Sequence, residues 1–202
     1  MADVRIRHVG WSALLIETDH VATWYAELVR LRASGELSAD EIVPAERTVL
    51  LDGVPEPDAV ARLLAGRVPE PVPAAAGALV ELPTVYDGED LDRVAQLWQV
   101  SRDEVIRRHA GTEFRVEFCG FSPGFAYLAG LPDDLAVPRL DTPRPRVPAG
   151  SVGLAGRYCG VYPSASPGGW LLLGRTDRRL FDVEADPPAL LAPGTRVRFV
   201  HA

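Results

Sequence analysis

The 202-residue chain has no lysine; all 21 of its basic residues are arginine. That absence excludes a phosphate-loop lysine, a Schiff base to a carbonyl substrate and a Ser–Lys nucleophile pair. Cysteine is nearly as scarce. Cys119 and Cys159 are the only two, with no C-x-x-C spacing, so no disulfide framework, redox motif or zinc site is expected, and both read as small buried residues. No apolar run approaches the roughly 18 residues that cross a bilayer. The opening MADVRIRHVGWSALLIE alternates charged and apolar residues and lacks the regions of a signal peptide. A cytoplasmic protein without a membrane partner is expected. Positive charge is also in deficit: the net charge of −7 argues against nucleic acid or an anionic membrane as main partner. No G-x-G-x-x-G opens a helix, and neither G-x-S-x-G nor H-E-x-x-H occurs, which leaves no dinucleotide fingerprint, nucleophile elbow or metal spacing.

The patterning that is present divides the chain. Residues 1–70 read as an α+β domain, 71–77 as a linker and 78–202 as a mainly-β domain. The linker expectation rests on RVPEPVPAAAG, where prolines fix φ and cannot donate to a sheet ladder. Before it, Val4, Ile6 and His8 alternate with Arg5 and Arg7 as a half-buried strand, and SALLIE supplies a second. Asp19 is placed to cap a helix whose Val21, Trp24, Leu28 and Leu31 share one face, ending near Gly35. EIVPA and RTVLLDG are short strands, and Asp58 is placed to cap a second helix. The order ββαββα predicts a two-layer domain.

After the linker, ALVELP reads as a strand and GEDLDRVAQLWQV as a helix. Ser101 and Glu104 form a capping box, S-x-x-E, for another helix ending near His109 and Gly111. TEFRVEFCG alternates strictly, with Phe114, Val116 and Phe118 to one side. From there short apolar runs separated by Gly and Pro predict an antiparallel barrel or sandwich.

Three glycine-proline segments carry the chemistry: GFSPGFAYLAGLP from 120, PRVPAGSVGLAG from 145 and YPSASPGGWLLLGRT from 162. Turn formation explains such segments, and glycine also lets backbone N–H groups approach an anion. Residues 139–179 hold seven arginines against Asp141 and Asp177, and the planar guanidinium suits carboxylate or phosphate. His109 is the best-placed general base, although a histidine at a helix C-terminus is also favourable as a cap. Ser122, Ser151 and Ser166 lie in the glycine loops without an identifiable base. Phe121, Phe125, Tyr127 and Trp170 are either an exposed apolar patch or core.

These three segments resemble blocks of the family that comprises the B subunit of 5-oxoprolinase, allophanate hydrolase subunit 1 and KipI. So do EVIRRHAGTEFRV, the tail LFDVEADPPALLAPGTRVRFV and the opening VRIRHVGWSALLIE. Trp11 departs from the family pattern, which has a polar residue there. The resemblance implies a small α+β domain followed by a cyclophilin-like β-barrel. It implies as partners a sister cyclophilin-like subunit, of the 5-oxoprolinase C type, and a third 5-oxoprolinase subunit. Together they would hydrolyse 5-oxoproline, a small anionic amide, with ATP used by the whole complex and no cofactor bound by this chain. On this basis Arg146 and Arg157 are expected to hold the anion. Backbone N–H groups at Gly150, Gly153, Gly168 and Gly169 would polarise the reacting oxygen, Ser151 and Ser166 would bond substrate, and His109 would move the proton. Phe121, Pro123, Gly124, Phe125 and Tyr127 form the family-motif loop. Family relatives leave two alternatives: inhibition of a sporulation-type histidine kinase, and urea or allophanate amide or carboxyl-transfer chemistry.

Overall fold

The computed structural model describes residues 4–70 and 77–202. Most of the expected linker, residues 71–76, lies outside the described residues. Contacts divide the chain into two compact units, Met1–Ala75 and Ala76–Ala202.

The first unit contains β1 (Arg5–Val9), β2 (Ala13–Glu17), α1 (Val21–Ala33), β3 (Glu41–Pro44), β4 (Thr48–Asp52) and α2 (Pro57–Leu64). Its four strands form an antiparallel sheet in the order β1-β2-β4-β3. Period-2 alternation turns Leu14, Ile16, Val49 and Leu51 to one face. There they meet Trp24, Leu28 and Leu31 of α1 and Val60 and Leu64 of α2 in one apolar cluster. Neither expected aspartate cap forms. His20 occupies the α1 cap without a side-chain bond, and Asp19 instead meets Arg47 at 2.8 Å. Helix α2 starts at Pro57, whose missing N–H costs nothing in a first turn, leaving Asp58 inside that turn. Trp11, at the β1–β2 hairpin, is 99% exposed, which fits a position where a polar residue is usual.

The second unit contains β5 (Leu79–Thr84), α3 (Leu91–Trp98), α4 (Arg102–Gly111), β6 (Glu113–Cys119), β7 (Ala126–Ala129), a 3-10 turn (Asp133–Leu135), β8 (Arg144–Val147), β9 (Ser151–Ala155), β10 (Tyr158–Val161), β11 (Ser166–Gly168), β12 (Leu171–Arg175) and β13 (Arg196–His201). A seven-stranded sheet runs β12-β9-β10-β7-β6-β13-β5, with only β13 and β5 parallel. Val85, just beyond β5, pairs with Arg175 at the end of β12 through two N–H···O bonds of 2.9 Å. The sheet thereby nearly closes into a barrel and covers its own edges. Ser101 caps α4, accepting from Glu104 N–H at 3.2 Å.

The central strands are buried on both faces. Val152 and Leu154 of β9, Cys159 and Val161 of β10, and Leu171 and Leu173 of β12 join the main core with α3 and α4. Their neighbours Ala155, Tyr158 and Leu172 join a second, aromatic cluster with Phe125, Tyr162 and Trp170. Phe118 belongs to that second cluster and not with Phe114 and Val116. The β6–β7 register shifts by one residue between Val116 and Phe118, and the irregularity sets Phe118 against Tyr127 in a stacked pair with ring centroids 4.3 Å apart.

Candidate functional site

The aromatic cluster opens into a cavity of about 120 Å³ lined by Phe121, Phe125, Tyr127, Arg139, Tyr162, Pro167, Gly168 and Trp170. Two motifs that the sequence separates by some forty residues therefore meet: the loop before β7 and the segment from Tyr162 through β11. The rings are edge to face. Phe125 stands at 90° to Trp170 with centroids 5.3 Å apart and at 76° to Tyr162 at 5.4 Å. Tyr127 meets Trp170 at 5.6 Å. In that arrangement each positive ring edge lies against a negative ring face.

Phe121 closes one side of the cavity. It is 60% exposed and its φ is 67°, a left-handed conformation rarely taken by a bulky residue. Its ring meets Phe125 at 5.3 Å. Gly168 also lines the cavity, at a point where a Cβ would overlap the Tyr162 hydroxyl. Burial raises the pKa of Tyr127, and Arg139 pulls it partly back. Burial raises Tyr162 too, against a hydrogen bond from the Trp170 backbone and the charge of Arg139. Both phenols stay neutral at physiological pH, ready to donate or accept a hydrogen bond.

Arg139 supplies the cation. The bonds Val137 N–H to Gly156 O (3.0 Å) and Leu140 N–H to Gly169 O (2.7 Å) pin its backbone on either side. The neighbouring Arg144 is differently engaged. It meets Glu89 and Asp90 at 2.6 Å each and donates to Trp170 O at 3.1 Å. Asp90 also accepts from Leu172 N–H at 2.7 Å, so this cluster ties the α3 entry to the Trp170 segment.

The residues expected from sequence fall into three groups. Phe121, Phe125, Tyr127 and Gly168 line the cavity. Pro123 is exposed in the same loop and Gly124 packs on Phe181. Ser166 and Gly169 flank the cavity-lining segment, and the Ser122 and Ser166 hydroxyls are buried without a hydrogen-bond partner among the described residues. Ser151, Gly150 and Gly153 lie in or beside β9 and are not among the lining residues. The Gly150 N–H already donates to Tyr162 O at 2.7 Å, and Gly153 sits between β10 and β12 in the ladder. Those two are packing glycines and not oxyanion donors.

Two further assignments are corrected. His109 is fully buried in the main core, with Nδ1 2.8 Å from Tyr86 Oη and Nε2 3.3 Å from Cys159 Sγ. Burial lowers its pKa to about 3. A neutral imidazole with both nitrogens engaged and no solvent access cannot exchange protons with a substrate. Cys159 is buried beside it, and burial raises its thiol pKa. Arg157 is held by both carboxylate oxygens of Glu117 at 3.0 Å and lies over the Tyr158 ring, so its charge is already balanced. Arg146 is exposed on β8, with its neighbour Val147 turned into the aromatic cluster. Sequence reading missed Arg139, Tyr162 and Pro167 as members of one site, and grouped Trp170 with Phe121, Phe125 and Tyr127 only as an apolar patch or core. The signal available was that Tyr162, Pro167 and Trp170 share the segment from 162, and that Arg139 opens the arginine-rich stretch 139–179.

A nearly closed barrel carries an aromatic cavity with one guanidinium on its lining, the concave and mostly apolar geometry common to small-molecule sites. Residues 4–191 match the model of the carboxyltransferase domain, subdomain C and D, and the chain belongs to that family. It is 48% identical over 126 residues to the 5-oxoprolinase B subunit of Bacillus subtilis, covering 61% of this chain and 52% of the relative. Against the 5-oxoprolinase B subunit of Escherichia coli O157:H7 it is 50% identical over 124 residues, covering 60% and 57%. The chain thus spans about half the length of the curated relatives it matches. Among solved structures it is similar to the conserved uncharacterized protein PH0987 of Pyrococcus horikoshii. That likeness has 33% identity, a TM-score of 0.59 and coverage of 98% and 97%. The urea amidolyase of Kluyveromyces lactis shares the fold at 20% identity and a TM-score of 0.79, over 98% of this chain and 15% of that one. No helix among the described residues is long and apolar enough to cross a membrane.

Proposed function

We propose that this chain is a cytoplasmic subunit of an ATP-dependent assembly that hydrolyses 5-oxoproline to glutamate, and that the aromatic cavity is its substrate site. In this reading it acts with a sister subunit that has a homologous cyclophilin-like barrel and with a third 5-oxoprolinase subunit, ATP being used by the whole complex. The observation that carries the proposal is the meeting of two family-motif segments around one cavity with one cation. A volume of about 120 Å³ suits a single small ring and falls well below the roughly 300–1,000 Å³ of drug-sized sites, so a nucleotide does not fit there. Neutral Tyr127 and Tyr162 hydroxyls on the lining can bond the lactam.

The test is glutamate release from 5-oxoproline by this chain mixed with its sister barrel subunit and the third protein, each omitted in turn. Release only from the complete mixture with ATP is expected. Folded, associated proteins that release none would overturn the assignment. The family description favours a second reading, carboxyl transfer to a small amide. That reading would appear as bicarbonate-dependent consumption of the amide without release of glutamate.

A further inference from the structure

We infer that Arg139 is the specificity-determining residue of the cavity, and that the ligand class it selects is a small monocarboxylate with a compact ring. This rests on the assignment of the cavity as the substrate site and adds which atom of the ligand meets which residue.

Three observations carry it. The guanidinium lines a cavity whose other walls are aromatic rings, proline and a glycine backbone, so it is the only formal charge on the lining. No ion pair to Arg139 occurs among the described residues, whereas Arg144, Arg157, Arg175, Arg179 and Arg196 each meet a carboxylate. Its backbone is pinned by the bonds at Val137 and Leu140, so the side chain starts from a fixed point at the edge of the cavity. A planar guanidinium takes a carboxylate through two parallel hydrogen bonds. The aromatic lining of Phe121, Phe125, Tyr127, Tyr162 and Trp170 suits a compact ring. A lactam without a carboxylate loses the first contact, and an open-chain urea derivative loses the second.

The experiment titrates the full chain with 5-oxoproline, with 2-pyrrolidinone (the ring without the carboxylate) and with cyclopentanecarboxylate (the carboxylate without the lactam), read by calorimetry and by tryptophan fluorescence. Both carboxylates are expected to bind, with 2-pyrrolidinone at least tenfold weaker. Arg139→Gln should weaken both carboxylates by about ten- to a hundredfold, the range of one charge-assisted contact, and leave 2-pyrrolidinone unchanged. Arg93→Gln, on the exposed side of α3, should bind all three as wild type. Because Arg139 is exposed, thermal unfolding of its variant should match wild type, which separates lost recognition from lost folding. Equal affinity of Arg139→Gln and wild type for both carboxylates, or no binding of either by the wild-type chain, would overturn the inference. The two proposals fail separately. Glutamate release by a complete assembly carrying Arg139→Gln at unchanged KM removes the carboxylate role and leaves the subunit reading. Arg139-dependent carboxylate binding with no glutamate release does the reverse.

Discussion

The Tyr86 hydroxyl lies 2.8 Å from His109 Nδ1 inside the main core, and the imidazole is also in ring contact with Phe114 and Phe199. This histidine is a neutral hydrogen-bonding core residue, and its burial couples folding to pH. In the unfolded chain its pKa is near 6.5; folding lowers it to about 3. Between those values the unfolded state binds one more proton, so stability falls as pH drops through the window. From pH 7 to pH 5 the loss from this group is about 2 kcal/mol. Urea midpoints at the two pH values should show it, and His109→Gln, which keeps an amide able to bond Tyr86, should flatten the slope. An unaltered slope in the variant would show that another group sets it.

Arg144 and Arg157 separate two kinds of ion pair. Arg144 is 18% exposed and Asp90 only 9% at their side chains, so Arg144→Ala leaves a buried carboxylate with one remaining donor. The expected loss is about 3 kcal/mol. The Arg157–Glu117 pair is 43% and 34% exposed, and Arg157→Ala should cost less than about 1 kcal/mol. Chemical denaturation of both variants decides it. Equal losses would contradict the difference in burial.

What could be read from the sequence followed local rules. Ser101 and Glu104 announced the start of α4, and the spacing of Trp24, Leu28 and Leu31 announced the buried face of α1, because caps and helical periodicity depend on residues within one or two turns. The cavity followed no local rule. Arg139, Tyr162 and Trp170 converge only because β7, β10 and the β8–β11 ribbon are brought together by pairings far apart in sequence, and seven nearby arginines look alike until their carboxylate partners are known. His109 misled for a related reason. A histidine at a helix C-terminus resembles a dipole partner or a base in sequence, and only the strands folded over it show that it is core.

Phe121 holds a left-handed backbone and an exposed ring, a combination that costs stability and persists where something else requires it. Phe121→Gly relieves about 1 kcal/mol of backbone strain and loses an edge-to-face contact with Phe125. Unfolding should shift by less than about 0.5 kcal/mol in either direction, while the affinity of the cavity for 5-oxoproline should fall about two- to tenfold. A variant that is more than about 1 kcal/mol less stable but binds normally would make Phe121 a structural residue.

Gly150 and Gly168 look equivalent in sequence, and the fold gives them opposite roles. At Gly150, φ is +81° and a Cβ would overlap the Thr176 carbonyl, which is backbone and cannot turn aside. Gly150→Ala should therefore lose about 2–3 kcal/mol of stability, while the folded fraction binds as wild type. At Gly168 the φ is not in the left-handed region, and the obstructing group is the Tyr162 hydroxyl in the cavity wall. That ring is almost wholly buried and has little room to retreat except toward the cavity. Gly168→Ala should accordingly narrow the site, weakening 5-oxoproline at least tenfold while costing only about 1–2 kcal/mol in folding. Parallel denaturation and titration of the two variants test the division. If Gly150→Ala folds normally and loses binding, its backbone belongs to the site after all; if Gly168→Ala binds normally, the cavity beside Tyr162 is not where the ligand sits.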